Sequence, residues 1–133
     1  MLQWLRARLG RNESPQGPLG VRGETYAAKY LRQKGYAIIL RNYRTGMGEI
    51  DIIARDGKTL VFVEVKTRAD DDPPPEAQVN AFKQHQITKM ARLYLSKYGT
   101  PLPPARFDVI AIVWPAGGSP TVRHTINAFD ATF

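Results

Sequence analysis

Two apolar segments joined by a short turn signal carry charged side chains at regular positions. The segments cover residues 48–55 and 59–68, and Asp56-Gly57 stands between them. An Asp-Gly pair between apolar runs is a strong local signal for a β-hairpin. The second segment contains Leu60-Val61-Phe62-Val63, which is apolar on both faces, as a central strand requires. Such a chain must build a sheet and cover both of its faces.

Strand periodicity predicts which charged side chains share a face. Because side chains alternate along a strand, Glu49 and Asp51 lie on one face of the first segment. Glu64 and Lys66 likewise share a face of the second segment. With the two turn residues as the hairpin loop, the predicted register pairs Asp51 with Phe62 and Glu49 with Glu64. Asp51 and Glu64 then become diagonal neighbours, about 7 Å apart, on the same face.

The remaining chain alternates between helix and strand signals. An apolar stripe through Ala27, Ala28 and Leu31 predicts a helix that ends before Gly35, and Asn80 is placed to cap a second helix. Arg106 begins another buried strand. The predicted order is α-β-β-β-α-β-β, an α/β fold with a mixed sheet flanked by helices. The predicted elements are helices over residues 19–34 and 81–98 and strands over 36–43, 48–55, 59–68, 106–114 and 121–128.

Composition limits the possible functions. The 133 residues are enough for one domain, predicted over residues 19–133 after a flexible or short helical arm of residues 1–18. The chain has no cysteine, which excludes disulfides and thiolate chemistry and fits a cytoplasmic location. No apolar run approaches the ~20 residues that cross a membrane. The formal charge of +7 favours a polyanionic partner, nucleic acid first.

Carboxylates on an apolar sheet face need a reason, since buried charges are costly unless they pair or bind a metal. Asp51 and Glu64, with the backbone carbonyl of Val65, offer the oxygen ligands that Mg²⁺ prefers, and Mn²⁺ is expected to substitute for it. Such an ion polarises a phosphate oxygen and lowers the pKa of an attacking water. Lys66 is placed to orient that water or to stabilise the transition state.

The two predicted helices add candidates to the same site. Glu24 belongs to the apolar stripe of the first helix, so it is expected to face the sheet. Lys83 and Gln84 precede the stripe of the second helix and are candidates to hold the scissile phosphate or the nucleophile. The alternatives are a plain charge in the first turn for Glu24 and ordinary solvated positions for the other two. Glu49 has a structural alternative too, a bond to Arg41 or Arg44. For Asp108 a structural role, paired with a nearby arginine, is favoured.

These residues together resemble the PD-(D/E)XK nuclease superfamily, and more closely the YraN-like family of bacterial proteins, which are related to archaeal Holliday-junction resolvases. The resemblance covers residues 19–129. It implies a restriction-endonuclease-like core and a metal-dependent phosphodiesterase site. The matching pieces are Leu19-Gly20, Gly23-Glu24, Arg41-Asn42, Gly48-Glu49-Ile50-Asp51, Phe62-Val63-Glu64-Val65-Lys66-Thr67-Arg68, Lys83-Gln84, Arg106-Phe107-Asp108-Val109 and Asn127-Ala128-Phe129.

The implied catalytic residues are Glu24, Asp51, Glu64 and Lys66, and Glu49 and Gln84 are implied as supporting or substrate groups. The expected function is a Mg²⁺-dependent endonuclease acting on DNA, including branched or otherwise structured DNA, in repair or recombination. Arg41 and Arg68 belong to a set of basic residues expected to contact phosphates.

Four points stay open. The alternative function is a nucleic-acid-binding module whose nuclease-like site is inactive and which acts through a protein partner. RNA is not separated from DNA as the substrate. A homodimer through residues 121–129 is one expected assembly, since two symmetric cuts call for two sites. A membrane adaptor built on the arm at Trp4, Leu5 and Leu9 is the remote third function. No small-molecule cofactor is expected.

Overall fold

A computed structural model describes residues 18–132 of the chain. The predicted arm lies outside the described residues except for Pro18, at which the first helix begins. Within residues 18–132, no helix has the length and apolar character that crossing a membrane demands. The elements are α1 (Pro18–Gln33), β1 (Ala37–Thr45), β2 (Gly48–Asp56), β3 (Thr59–Arg68), a 3-10 helix (Pro75–Gln78), α2 (Ala81–Leu95), β4 (Ala105–Val113) and β5 (Thr121–Phe129).

The five strands form one mixed sheet in the order β1-β2-β3-β4-β5. Neighbouring strands are antiparallel except for β3 and β4, which are parallel. A parallel pair needs a crossover connection, and α2 supplies it. The predicted α-β-β-β-α-β order is therefore confirmed, and it is the arrangement of a restriction-endonuclease-like core.

The two helices cover opposite faces of the sheet. Ala27, Ala28 and Leu31 of α1 pack on alternate residues of the central strands, among them Val61 and Val63. The other face is covered by α2, whose Ile87, Met90, Ala91 and Tyr94 pack against Leu60, Phe62 and Phe107. Both apolar stripes lie where the sequence predicts them. Because β3 alternates regularly, Glu64 shares the α2 face with Phe62.

Local signals set the ends of both helices. The Oδ1 atom of Asn80 accepts a hydrogen bond of 3.0 Å from the backbone N–H of Lys83, as predicted for a cap. Gly35 follows α1 with a φ of 94°, a conformation that glycine adopts without strain.

The predicted register of the β2–β3 hairpin is wrong by two residues. Asp56 pairs with Thr59, so the turn residues are Gly57 and Lys58 rather than Asp56 and Gly57. Gly57 has a φ of 61°, which a tight hairpin turn requires. Phe62 therefore lies opposite Ile53, not Asp51. A slip of two residues preserves the faces, because side chains alternate with a period of two.

Candidate metal centre

Three carboxylates from two elements converge at the first half of β2. Glu24 projects from α1, and Glu49 and Asp51 project from β2. One carboxylate oxygen from each lies within 4.8 Å of the others. We call these three residues the carboxylate triad. Glu24 and Glu49 are half-buried, and Asp51 is buried. The triad brings together two predicted catalytic residues and Glu49, which was assigned only a supporting role.

An irregularity in β2 places Asp51 in the triad. Ile50 and Ile53 pack in the same core cluster on the α2 face, although strict alternation would put them on opposite faces. The backbone pairing of β2 with β3 runs only from Asp56–Thr59 to Ile52–Val63. Just beyond it, the Oδ2 atom of Asp51 accepts a hydrogen bond of 2.8 Å from the backbone N–H of Val65. The carboxylate of Asp51 thus accepts the hydrogen bond of the Val65 N–H at the point where the backbones of β2 and β3 no longer pair.

Asn42 connects the other two carboxylates. Its Nδ2 atom donates to Glu24 Oε1 at 2.8 Å and to Glu49 Oε2 at 2.9 Å. Its backbone has a φ of 54°, a left-handed conformation that asparagine tolerates better than most residues. Arg44 completes the contacts of Glu49 through an ion pair of 3.0 Å, as the structural alternative for Glu49 anticipated. Sequence reasoning gave Asn42 no role, and its only signal was membership in the matching pair Arg41-Asn42.

Glu64 is neutralised from two sides. Its Oε2 atom lies 3.5 Å from Lys66 Nζ on the same strand and 3.6 Å from Lys83 Nζ on α2. The carboxylate is buried, and its side chain is only 4% exposed. We call these residues the Glu64 triplet. Lys83 of α2 thus lies beside Glu64.

Burial dominates the electrostatics of the two innermost carboxyls. It raises the pKa of Asp51 well above the ordinary value, and the nearby carboxylate of Glu64 raises it further. Burial also raises the pKa of Glu64, although the ammonium groups of Lys83 and Lys66 oppose that rise. The two carboxyls therefore act on each other, and the triad and the triplet form one electrostatic unit.

The other predicted site residues, among them Arg68 and Gln84, make contacts of their own. Arg68 lines a cavity of about 370 Å³ together with Glu24, Val65 and Lys66. Its Nη2 atom contacts Asp70 at 3.2 Å, and its buried Nε atom has no partner among the described residues. Gln84 uses its amide differently, donating to the carbonyl of Val79 at 3.0 Å.

Arg41 borders a second and smaller cavity, of about 130 Å³, which Glu24 and Glu49 also line. Its Nη2 atom donates to Thr25 Oγ1 at 3.3 Å. Its Nε atom is buried and has no hydrogen-bond acceptor in the described part of the chain. Both cavities that Glu24 lines therefore contain a cationic side chain, Arg68 in one and Arg41 in the other.

A close contact between α1 and β3 holds the backbone beside Glu24 against the sheet. A Cβ atom added at Gly23 would overlap the side chain of Thr67. The backbone of α1 therefore lies directly on β3 at the residue before Glu24. Only glycine permits that approach.

Asp108, for which a structural pairing with arginine was predicted, lies away from the triad. It is fully buried and accepts from Arg106 Nε at 3.0 Å, from the backbone N–H of Asn127 at 3.0 Å and from His124 at 2.8 Å. The structural assignment of Asp108 is confirmed.

Comparison with known proteins places this geometry in a family. Residues 23–112 match the model of a family described as Uncharacterised protein family UPF0102. A UPF0102 protein of Geobacter sulfurreducens is 51% identical over 116 residues, which cover 86% of this chain and 91% of the relative. A UPF0102 protein of Symbiobacterium thermophilum is 47% identical over 115 residues, covering 85% and 97%. The matched span contains the triad and the Glu64 triplet. The chain belongs to the UPF0102 family, the YraN-like family that its sequence motifs resemble.

Proposed function

We propose that this protein is a metal-dependent endonuclease that hydrolyses phosphodiester bonds in DNA. The observation that carries the proposal is the carboxylate triad beside the buried Glu64, in a chain with a formal charge of +7. The cluster of carboxylates suits a bound cation, and the positive net charge of the chain suits a polyanionic substrate. The family name states no activity, so the proposal depends on this geometry.

The residues fit a hard divalent cation. The triad offers only carboxylate oxygens, which are the ligands that Mg²⁺ and Mn²⁺ prefer. Burial first, and then the neighbouring carboxylate of Glu64, raise the pKa of Asp51, and a bound cation would favour its charged form. Glu24, Glu49 and Asp51 would hold the ion, with Glu64 at its edge. The bound ion would polarise a phosphate oxygen and lower the pKa of a nearby water.

The chain's own residues position the reacting groups. The N–H of Val65 and the amide of Asn42 hold the three carboxylates of the triad in place. Lys66 pairs with Glu64 and also lines the larger cavity. Its ammonium group is therefore placed to contact a phosphate oxygen that enters this cavity. Lys83 shares Glu64 with it, which leaves Glu64 paired when Lys66 turns to a substrate.

The charges around the site favour a nucleic acid strand. Arg68 lines the larger cavity with Glu24, and Arg41 lines the smaller cavity with Glu24 and Glu49. Guanidinium groups that line such cavities suit phosphate oxygens. A strand that crosses the triad would place one phosphate near each arginine.

The decisive experiment is cleavage of a panel of substrates with Mg²⁺ or Mn²⁺ at low salt. The panel contains linear duplex, single strand, flap, four-way junction and an RNA hairpin. The wild type is expected to cut at least one DNA substrate, and Glu64→Gln and Asp51→Asn are expected to lower the rate about 100-fold or more. Asp130→Asn makes the same charge change at an exposed position and should cut like the wild type.

Cleavage that persists in Glu64→Gln and Asp51→Asn, or in excess chelator, would contradict the proposal. Circular dichroism and thermal unfolding of each variant separate a loss of chemistry from a loss of fold. Preferred cutting of the junction or flap would assign the enzyme to branched DNA. Preferred cutting of the RNA hairpin would replace DNA by RNA as the substrate.

One observation favours a second candidate, a nucleic-acid-binding module with an inactive site. Glu64 already has two ammonium partners, at 3.5 and 3.6 Å, and does not need an ion for neutrality. Titration with Mn²⁺ distinguishes the two functions. A nuclease should show binding that Asp51→Asn abolishes, whereas an inactive module should bind DNA without any carboxylate-dependent uptake of metal.

A further inference from the structure

A cleft that no predicted role accounts for lies between α2 and the β1–β2 turn. It has a volume of about 260 Å³ and is lined by Met47, Phe82, His85, Gln86 and Lys89. We call it the Phe82 cleft. Its size is below the roughly 300–1,000 Å³ of pockets for drug-sized ligands, so it suits one planar ring rather than a whole cofactor.

The cleft is open and aromatic where a surface helix would ordinarily be polar. Phe82 is 74% exposed and Met47 is 40% exposed. On α2 the spacing of residues 82, 85, 86 and 89 forms one stripe, distinct from the buried stripe of residues 87, 90, 91 and 94. The large aromatic ring of Phe82 therefore stays exposed to solvent, in a cleft that His85 and Lys89 also line. Packing of the core does not explain this position, because Phe82 lies outside the buried stripe of α2.

The walls of the cleft are held in place. Gln86 Nε2 donates to the carbonyl of Met47 at 3.2 Å, which ties the β1–β2 turn to α2. Thr45 Oγ1 contacts Met90 Sδ at 3.1 Å and supports the same turn from below. Because these contacts exist before any ligand arrives, a ring that enters the cleft needs little further ordering of the protein.

Both walls continue directly into the candidate metal centre. Phe82 precedes Lys83, which pairs with Glu64 at 3.6 Å. Met47 lies two residues before Glu49 of the triad. The cleft and the candidate metal centre therefore share the start of α2 and the start of β2, so neighbouring nucleotides of one strand are expected to occupy the two sites.

We propose that the Phe82 cleft binds an unstacked base of the nucleic acid whose phosphate reaches the triad, an inference that rests on the proposed function. An exposed aromatic ring beside cationic side chains is the combination with which proteins bind unpaired bases. The base stacks on Phe82, and His85 and Lys89 face the adjoining backbone. A fully paired duplex cannot deliver a base there, so the cleft selects strands with unpaired nucleotides near the cut.

Binding in chelator tests the cleft without cleavage. The probe is a single-stranded oligonucleotide carrying the fluorescent base 2-aminopurine, with a duplex of the same sequence for comparison. Phe82→Ala is expected to weaken single-strand binding by roughly 5- to 150-fold, the effect of losing one stacked base, and to change duplex binding less than about 2-fold. Phe82→Tyr should retain both the affinity and the fluorescence change, whereas Phe82→Leu should lose both.

Leu93→Ala is the matched control, since Leu93 is 44% exposed on the same helix and lies outside the cleft. Equal single-strand affinity in wild type, Phe82→Ala and Leu93→Ala would overturn the proposal. So would Phe82-dependent self-association in a protein that binds no oligonucleotide, because the cleft would then be a protein–protein surface.

The experiments test the nuclease proposal and the base-binding proposal separately. Phe82-dependent binding without any Glu64-dependent cleavage would support the cleft and remove the nuclease. Glu64-dependent cleavage that is unchanged in Phe82→Ala on every substrate would do the reverse.

Discussion

At the scale of single residues, Asn42 connects two of the three carboxylates of the triad. Its one amide nitrogen joins carboxylates from α1 and β2, at 2.8 and 2.9 Å. Its left-handed φ of 54° aims the side chain at them. Without that amide, the like-charged carboxylates of Glu24 and Glu49 would face each other across a short gap. Asn42 is therefore a positioning residue rather than a ligand.

Asn42→Gly tests the amide, and Asn42→Ala tests the amide and the backbone together. Both variants should bind Mn²⁺ about 10- to 100-fold more weakly, because the groups that orient metal ligands typically contribute that much. The alanine variant should also be about 1 kcal/mol less stable than the glycine variant, since alanine resists a positive φ. Calorimetric titration and urea unfolding measure the two effects. Unchanged Mn²⁺ affinity in Asn42→Gly would show that the amide does not organise the triad.

At the level of elements, the contact between α1 and β3 sets the distance of Glu24 from the other carboxylates. Gly23→Ala has two opposed effects. Helix propensity favours alanine by up to about 1 kcal/mol, and overpacking against Thr67 costs about 1–3 kcal/mol. The overlap involves a side chain on the central sheet, so we expect net destabilisation of about 1–2 kcal/mol and weaker metal binding.

The double variant Gly23→Ala with Thr67→Ala separates the clash from other causes. Removing the hydroxyl and methyl of Thr67 should restore part of the lost stability and metal affinity, because those atoms are among the ones the new Cβ would meet. Thermal unfolding of the two single variants and the double variant forms a double-mutant cycle. Strict additivity in that cycle would contradict direct contact between the two residues.

The β4–β5 pair depends on the buried charge of Asp108. Burial by itself raises the pKa of this carboxyl, but hydrogen bonds from His124, Arg106 and the Asn127 N–H lower it below its ordinary value of 3.8. A lowered pKa in the folded state gives stability that is present above that value and is lost as the pH falls through the folded-state pKa.

Asp108→Asn should therefore be about 3–5 kcal/mol less stable at neutral pH, because Arg106 loses its buried partner. The gap between wild type and variant should shrink between about pH 5 and pH 2. Urea unfolding across that range measures it, with the exposed Asp130→Asn as control. A gap that does not depend on pH would show that packing, rather than charge, is what Asp108 contributes.

For the whole molecule, charge separates into a small acidic centre and a basic remainder. The formal charge is +7, although the triad alone contributes three acidic side chains. Repulsion keeps a polyanion from the triad unless the surrounding cations contact its phosphates. Binding of DNA in chelator should therefore weaken steeply with salt, since each neutralised phosphate releases counterions.

Arg68→Ala should reduce the slope of log affinity against log salt by about 1, because one phosphate contact is lost. Lys58→Ala removes the same charge at the β2–β3 turn and should leave the slope unchanged. Fluorescence anisotropy at several salt concentrations measures both. Equal slopes in Arg68→Ala and wild type would remove Arg68 from the phosphate contacts.

The helices and strands could be predicted from the sequence because their signals are local. Alternation along residues 59–68 requires only neighbouring residues, and so do the stripe through Ala27, Ala28 and Leu31 and the cap at Asn80. The same alternation assigned Glu64 and Lys66 to one face, and they pair at 3.5 Å. The wrong turn left the faces correct where β2 pairs with β3, from Ile52 to Asp56, since the error was two residues and the strand period is two.

The tertiary structure decided which charges meet. Strict alternation could not show that β2 is irregular near Asp51, or that Val65 donates to that carboxylate. Nor could it show that Asn42 joins α1 to β2, because such contacts depend on how helices pack on a twisted sheet. The sequence by itself determined the elements, the faces of their regular parts and the residue types of the site. Packing between distant segments determined the triad, because convergence in space has no periodic signal along the chain.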